Sequence, residues 1–585
     1  MSAAVRLAVV LLALFAAAPV RAQWSPAPAP VRATRGMVVS AERHASEAGV
    51  ATMRAGGNAV DAAVATGFAL AVTFPIAGNV GGGGFLVVRF PDGTATTLDF
   101  RETAPAAATR DMFLDSTGTF VPARSQVGAL AAGVPGSVAG LVEAHARWGR
   151  LPLAAVLAPA LRLAERGFPL SRVEAATLNY FRDPLAQFPS TARAFVPAVP
   201  YAEGDTLRQP DLATILLRIR DRGRDGFYTG ETARLIVAEM ERNGGLITAD
   251  DLAAYQPVER APVVGTYRGH RVISMGPPSS GGTALLQLLA AVEPFSVREM
   301  GFNSSATVHL MAEAMRRTYA DRSEWLGDPD FVRVPVAGLV DSAYVRARME
   351  TFDPARTTPS GTITAGAPPR ESVQTTHYSV VDADGMAVST TTTLNGPYGS
   401  MLVVGGAGFL LNNEMDDFAA APGVPNQFGL VGSDANAVAP GKRMLSSMTP
   451  TIVEGPDGRL RLVVGSPGGG RIITAVFETI VNVVDHGMGV SEAVAAPRVH
   501  HQWLPDVLFA ERGALARDVA DGLRARGWTL VEDEYWSRVD AVMVACDAAE
   551  TATDPSGLAR TETLGAGCVL LGGADPRGED AAVGW

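Results

Sequence analysis

Apolar residues first gather in one unbroken stretch, Leu7 to Ala18, behind Arg6 and ahead of Pro19-Val20-Arg21-Ala22. A charged start, an apolar centre and a small-residue end mark a secretion signal, and the stretch is shorter than the about 20 apolar residues that span a bilayer. Cleavage after Ala22 is expected, so residues 1–22 are read as a signal peptide. No Cys follows the apolar stretch, which argues against a lipid anchor. Trp24 to Thr34 is rich in Pro and Ala and predicts a disordered leader.

Beyond the leader the spacing becomes helical. From Ser46 to Val72 the apolar and Ala positions recur on a helical period, interrupted at Gly56-Gly57. Gly78 to Gly84 then leads into a strand over Phe85 to Phe90, and Pro135 to about Trp325 reads mostly as amphipathic helix punctuated by Pro and Gly. Asp353 to Arg370 carries almost no large apolar side chain and predicts a mobile surface loop. The chain after it is strand-rich. Thr376 to Val381 and Met386 to Thr393 flank the turn Asp382-Ala383-Asp384-Gly385, which predicts a hairpin. Centred near Asp384, its paired residue numbers sum to about 768, and Thr393 then faces Thr375 with Cβ atoms roughly 4.5 to 5.5 Å apart. Paired threonines also occur in sheets for packing alone. Helical material on both sides of a strand-rich block suits a layered α+β or α/β architecture.

The 585 residues are 47% apolar and carry a formal charge of -11, with a pI near 5.4. That balance argues against an electrostatic grip on nucleic acid or anionic membrane and favours small or neutral partners. The two cysteines, Cys546 and Cys568, are too few for a disulfide scaffold or a Cys-rich metal site. Each lies beside a strand-like run, Asp540 to Ala545 and Val569 to Leu571, so either a bridge across adjacent strands or two buried thiols fits. His500 and His501 are neighbours that point apart in regular structure, and no metal is expected. The Gly81 to Gly84 run precedes a strand where a dinucleotide loop would open a helix, and Gly468-Gly469 lacks the Gly-Lys-Ser/Thr of a phosphate loop. No cofactor is implied.

The segment Gln374-Thr375-Thr376-His377 places a hydroxyl where the chain could cut itself. A Thr hydroxyl is a poor nucleophile without a base, and a free N-terminal amine, of ordinary pKa near 7.7 to 8.0, serves as one. Scission between Gln374 and Thr375 would put that amine on the nucleophile's own residue. The uncut hydroxyl would attack the Gln374 carbonyl, shift the acyl group from N to O, and leave an ester for water to hydrolyse.

These residues and several others, in one order along nearly all of the chain after the signal, resemble the gamma-glutamyltranspeptidases of the N-terminal-nucleophile hydrolases. The matches include Gly56-Gly57-Asn58-Ala59-Val60-Asp61-Ala62-Ala63, Gly81 to Gly84, Asp99-Phe100-Arg101-Glu102, Gly276-Pro277-Pro278-Ser279-Ser280-Gly281-Gly282 and Thr375 to Ser379. Further on stand Leu411-Asn412-Asn413-Glu414-Met415-Asp416-Asp417-Phe418, Leu445-Ser446-Ser447-Met448 and Gly465-Ser466-Pro467-Gly468-Gly469. The resemblance implies an α+β fold, a four-layer αββα sandwich, and a precursor cut into a large subunit, 23–374, and a small one, 375–585. It also implies attack by the new N-terminal Thr375 on a gamma-glutamyl amide such as that of glutathione, with an amino acid, dipeptide amine or water resolving the ester. Export to the periplasm or medium follows from the signal.

The resemblance also assigns roles. Arg101 would clamp the substrate's α-carboxylate with its planar fork, aided by the hydroxyls of Ser446 and Ser447. Glu414, Asp417 and the amide oxygen of Asn395 would accept the α-ammonium. Thr393 would orient the Thr375 hydroxyl, as the hairpin count independently suggests. Gly468 and Gly469, between the strand Leu460 to Val464 and a helix starting near Arg471, would present the N–H groups of an oxyanion hole. Phe428 stands where bacterial members often have a lid Tyr, so a hydroxyl bond from lid to Asn395 cannot form, and a looser lid admitting more water is expected. Two rivals remain: a related acylase or polyglutamate hydrolase of this fold, and an exported binding protein that is never cut.

Overall fold

The computed structural model describes residues 27–365, 376–420, 427, 430, 434–533, 536–546 and 567–585. Two antiparallel sheets of seven strands each form its centre. In the first the order is Val31–Ala33, Val569–Gly573, Asp540–Ala545, Leu460–Gly465, Thr451–Glu454, His270–Ser274 and Val263–Tyr267. In the second it is Ala581–Gly584, Met37–Ser40, Thr376–Val381, Ala387–Thr393, Gly83–Arg89, Ala95–Asp99 and Val258–Arg260. The inner faces meet over Val39, Phe85, Val87, Ile452, Val463 and Val542. Helices Arg43–Arg54, Ala59–Thr73 and Ser137–Trp148 cover the outer face of the second sheet. Gly281–Val292, Ser305–Trp325 and Arg471–Val484 cover that of the first. The result is the helix, sheet, sheet, helix layering expected from the resemblance. Both faces of both sheets are covered, so their central strands are buried along their whole length, as in Thr376–Val381 and Ala387–Thr393.

Local chemistry explains the main turns. The break at Gly56-Gly57 separates two helices, and Asn58 starts the second: its side chain accepts from Val60 and Asp61 N–H while the Asp61 carboxylate accepts from Asn58 N–H. In the hairpin turn the Asp382 carboxylate accepts from Asp384 and Met386 N–H, and Gly385 takes a φ of 78°. Cys546 and Cys568, at the ends of adjacent antiparallel strands, are joined as a disulfide.

Two expectations need correction. Val31–Ala33 is no disordered leader; it pairs with Val569–Gly573 as an edge strand, although Val31 is exposed and Pro flanks it. The middle region is mostly helical, as expected, and also contributes Val258–Arg260, Val263–Tyr267 and His270–Ser274, strands with β-branched residues toward the edges of the two sheets. The segment from Asp353 is anchored as far as it is described. The Glu313 carboxylate accepts from Thr357 Oγ1 and Thr358 N–H, Asp506 accepts from Ser360 N–H, and the Trp503 indole donates to the Ser360 and Ile363 carbonyls. Polar contacts hold a stretch that has little apolar area to bury. Among the described residues no helix is long and apolar enough to cross a membrane.

Candidate active site

The strand Thr376–Val381 pairs with Ala387–Thr393 from Thr376↔Thr392 to Val381↔Ala387, each pair summing to 768 (376 + 392, 381 + 387). The register is the one read from the sequence. Gln374, Thr375 and Phe428 lie outside the described residues. Thr393, which ends the second strand, pairs on its other side with Gly83, and its backbone carbonyl accepts from the Asn79 amide. Thr393 Oγ1 accepts from Asn395 N–H at 2.7 Å. That bond and a φ of 74°, which Asn tolerates better than most residues, aim the Asn395 side chain inward. Its Nδ2 donates to the Asn413 carbonyl, while Oδ1 is buried without a hydrogen-bond partner among the described residues.

Arg101 follows the strand Ala95–Asp99 and is 1% exposed. Its Nη1 lies 2.7 Å from Glu414 Oε2, its Nη2 donates to Asp417 Oδ2 at 2.5 Å, and Nε donates to the Met444 carbonyl. Glu414 and Asp417 sit on one short 3-10 turn that points both at the guanidinium. A third carboxylate, Glu102, lies 3.7 Å from Nη1, and neither of its oxygens has a hydrogen-bond partner among the described residues. Burial pushes Glu102 up to about 8, against the pull of Arg101. Burial likewise holds Glu414 and Asp417 well above the ordinary carboxylate range. Among the described residues one fixed cation stands among three desolvated acids.

The serines meet this cluster through the segment Met444 to Met448. Arg101 Nη2 also donates to the Leu445 carbonyl, and the Ser446 carbonyl accepts from Ser280 N–H. Ser447 Oγ accepts from Arg322 Nη2 at 2.7 Å, which leaves the hydroxyl hydrogen to be donated elsewhere. Arg322 lies on the buried helix Ser305–Trp325, and one turn earlier on that helix Tyr319 donates its hydroxyl to the Gly470 carbonyl. One helix therefore braces both the serine segment and the glycine turn. Gly468 and Gly469 fall between Leu460–Gly465 and the helix Arg471–Val484, at φ of 122° and 72°. A Cβ at Gly468 would stand 2.1 Å from Ser537 Oγ, so the turn admits only glycine there. Among the described residues no backbone hydrogen bond uses the N–H of Gly468 or Gly469.

The gamma-glutamyltranspeptidase family model matches residues 45–564 of this chain. The chain belongs to the gamma-glutamyltranspeptidase family. The glutathione hydrolase proenzyme of Escherichia coli (strain K12) is 50% identical over 521 residues, covering 88% of this chain and 90% of that protein. Among this family's relatives is also the acylase ACY 1 proenzyme of Pseudomonas sp. (strain SE83), 40% identical over 509 residues, 86% of this chain and 88% of that one. The crystal structure of cephalosporin acylase from Bacillus halodurans superposes with a TM-score of 0.82 at 26% identity, over 97% of this chain and 99% of that one. The α+β sandwich is thus the fold of a gamma-glutamyltranspeptidase.

Of the site residues read from the sequence, Arg101, Glu414, Asp417, Ser446 and Ser447 come together around one buried cluster. Asn395 and Thr393 stand at the end of the hairpin, and Gly468-Gly469 at a helix start. Arg322 and Tyr319 were missed: each lies more than a hundred residues from the group it holds, and neither stands out among the other charged and polar side chains of that helix. Glu102 carried no assigned role. His500 and His501 face Thr474 with Gln502, and Asp506, respectively, and burial lowers the pKa of both. Among the described residues no cluster of His, Cys, Asp and Glu could hold a metal ion.

Proposed function

We propose that this chain is an exported, self-processing gamma-glutamyltransferase and glutathione hydrolase. The observation that carries the reading is the buried Arg101, Glu414 and Asp417 cluster, whose charges match a zwitterionic amino-acid head. Glu414 and Asp417 pair with the Arg101 fork. A gamma-glutamyl substrate would exchange into it, its α-carboxylate taking the guanidinium and its α-ammonium taking the two acids, so that charge stays paired throughout. Ser447, whose oxygen already accepts from Arg322, would donate its hydrogen to the α-carboxylate, and Ser446 would add a second hydroxyl. A glutaryl group lacks the ammonium and would leave two buried acids uncompensated, which argues against a glutaryl acylase.

Catalysis then needs a nucleophile and an anion site. Scission between Gln374 and Thr375 supplies the Thr375 hydroxyl with an adjacent amine as base. Thr375 attacks the gamma-carbonyl, the leaving amine takes a proton, and a gamma-glutamyl ester remains. Water, an amino acid or a dipeptide amine attacks that ester and returns a proton to Thr375. The Gly468 and Gly469 N–H groups stabilise the oxyanion in both steps, where one such donor is typically worth about 10² to 10³ in rate. Denaturing electrophoresis tests the first requirement. The exported protein should show fragments 23–374 and 375–585, and T375A a single uncut band. Release of the anilide from gamma-glutamyl anilide, raised by glycylglycine, tests the second, and a purified cut enzyme with no such release would refute the reading.

A further inference from the structure

The two arms of the glutamyl pocket come from separate stretches of chain. Glu414 and Asp417 stand on one short turn, and Ser446 and Ser447 follow Met444 and Leu445 later in the sequence. Arg101, from a third stretch, reaches both, through Asp417 Oδ2 and through the Met444 and Leu445 carbonyls. A substrate carboxylate would draw on that same guanidinium, so a second tie is needed to keep the spacing of the arms.

Asn436 supplies it. This residue ends the 3-10 turn Asp434–Asn436, is 2% exposed, and bonds in both directions. Its Nδ2 donates to the Asp417 carbonyl at 2.7 Å, and its Oδ1 accepts from Leu445 N–H at 3.1 Å. An amide on a short stem offers a donor and an acceptor at once, and here they join the acid turn to the residue before Ser446. The Asn436 carbonyl also accepts from Ala419 N–H at 2.9 Å.

Lys442 holds the turn itself. It is the only lysine among the chain's 49 Lys and Arg residues, and it is 3% exposed. Its Nζ donates to the Ala435 carbonyl at 2.7 Å and to the Ala437 carbonyl at 3.1 Å, clasping Asn436 from both sides. A compact ammonium with rotatable donors suits two carbonyls so close together, whereas a guanidinium fork is planar and rigid. The Lys442 carbonyl in turn accepts from Ala104 N–H at 2.8 Å, just beyond Arg101. The stretches carrying Arg101, the acids and the serines are thus tied at one point.

We propose that Asn436 and Lys442 are positioning residues that set the spacing of the glutamyl pocket, and with it the preference between the L and D forms of the donor head. The inference rests on the gamma-glutamyl reading above and adds which residues behind the pocket hold its specificity. Both polar atoms of the Asn436 side chain bond backbone groups, so it acts through Asp417 and Leu445. Inverting the α-carbon exchanges the places of ammonium and carboxylate. Rigid arms reject the wrong hand, and arms free to shift accept either.

Anilide release from L- and D-gamma-glutamyl anilide in water, with no acceptor added, reads the ratio of kcat/KM. N436D is isosteric, keeps the bond from Leu445 N–H and sets an oxygen against the Asp417 carbonyl; K442M keeps the stem and removes the donors. In each the L-over-D ratio should fall about 3- to 10-fold and KM for the L donor rise by a similar factor, with kcat within about 2-fold. A general loss of stability lowers both enantiomers alike and leaves the ratio, and a urea midpoint measured alongside reads it separately. Denaturing electrophoresis identifies cut enzyme, and either variant that is cut carries the test. An L-over-D ratio equal to that of wild type in the cut variants overturns this inference alone. Absence of anilide release by cut wild-type enzyme overturns the gamma-glutamyl reading and this inference with it.

Discussion

His377 offers a quantitative test of how the two sheets are joined beneath the hairpin. Its ring is fully buried between them, with Nδ1 2.9 Å from Thr391 Oγ1 and Nε2 3.0 Å from Ser379 Oγ. The facing strand makes room with Gly465, where a Cβ would come within 2.3 Å of the ring. Burial alone drives the His377 pKa down to about 3. Above the unfolded value of about 6.5 both states are neutral and the residue adds no pH dependence. Below it the unfolded chain takes up a proton that the folded chain refuses until about pH 3, so stability falls through that window. The loss works out at about 2 kcal/mol at pH 5 and about 3 kcal/mol at pH 4. H377Q keeps a donor and an acceptor for the two hydroxyls but cannot titrate. Repacking costs it a constant amount at every pH, whereas its deficit against wild type should shrink by about 2 kcal/mol between pH 7.5 and pH 5. His500 and His501 are also buried, but they are present in both proteins and cancel. Urea unfolding followed by Trp fluorescence at several pH values measures the difference. Parallel stability curves for the two proteins would refute the account of His377 as a neutral inter-sheet residue.

R322M removes the donor behind Ser447 while keeping the helix, and should lower kcat/KM for the gamma-glutamyl donor about 10- to 100-fold, read from anilide turnover, with autocleavage intact on a gel. G468A places a methyl against Ser537 at a φ of 122° and should reduce kcat by about 100-fold or more. Glu102 ionises as pH rises through about 8, adding negative charge beside Arg101, so donor KM should climb above that pH. E102Q should abolish the climb, as pH profiles of donor KM would show.

Some of this was legible in the chain and some was not, for physical reasons. The hairpin register followed from a four-residue turn with glycine at positive φ, a local rule that tertiary packing did not override. The helix break at Gly56-Gly57 and the start at Asn58 were equally local. The Arg101, Glu414 and Asp417 cluster came only from the resemblance, since an Arg after a strand and two acids three apart have no bias toward one another until the fold joins them. Tyr319 and Arg322 act across more than a hundred residues on groups in other elements. The edge strand Val31–Ala33 escaped notice because a Pro- and Ala-rich stretch pairs there through its backbone, which composition does not report. The segment after Asp353 looked loose for want of apolar residues, yet Glu313, Asp506 and Trp503 reach it from distant helices and loops.

The order of strands has a consequence for the proposed scission. Thr376–Val381 and Ala387–Thr393 lie between Met37–Ser40 and Gly83–Arg89, while Met37–Ser40 is itself flanked on its other side by Ala581–Gly584. In the other sheet Val31–Ala33 pairs with Val569–Gly573, and His270–Ser274 with Thr451–Glu454. Segments from before and after the bond 374–375 are woven through both sheets. Breaking that bond turns one molecule into two without giving either the freedom to leave. Dilution, which parts ordinary partners, has nothing to act on here, and the two pieces can separate only by unravelling.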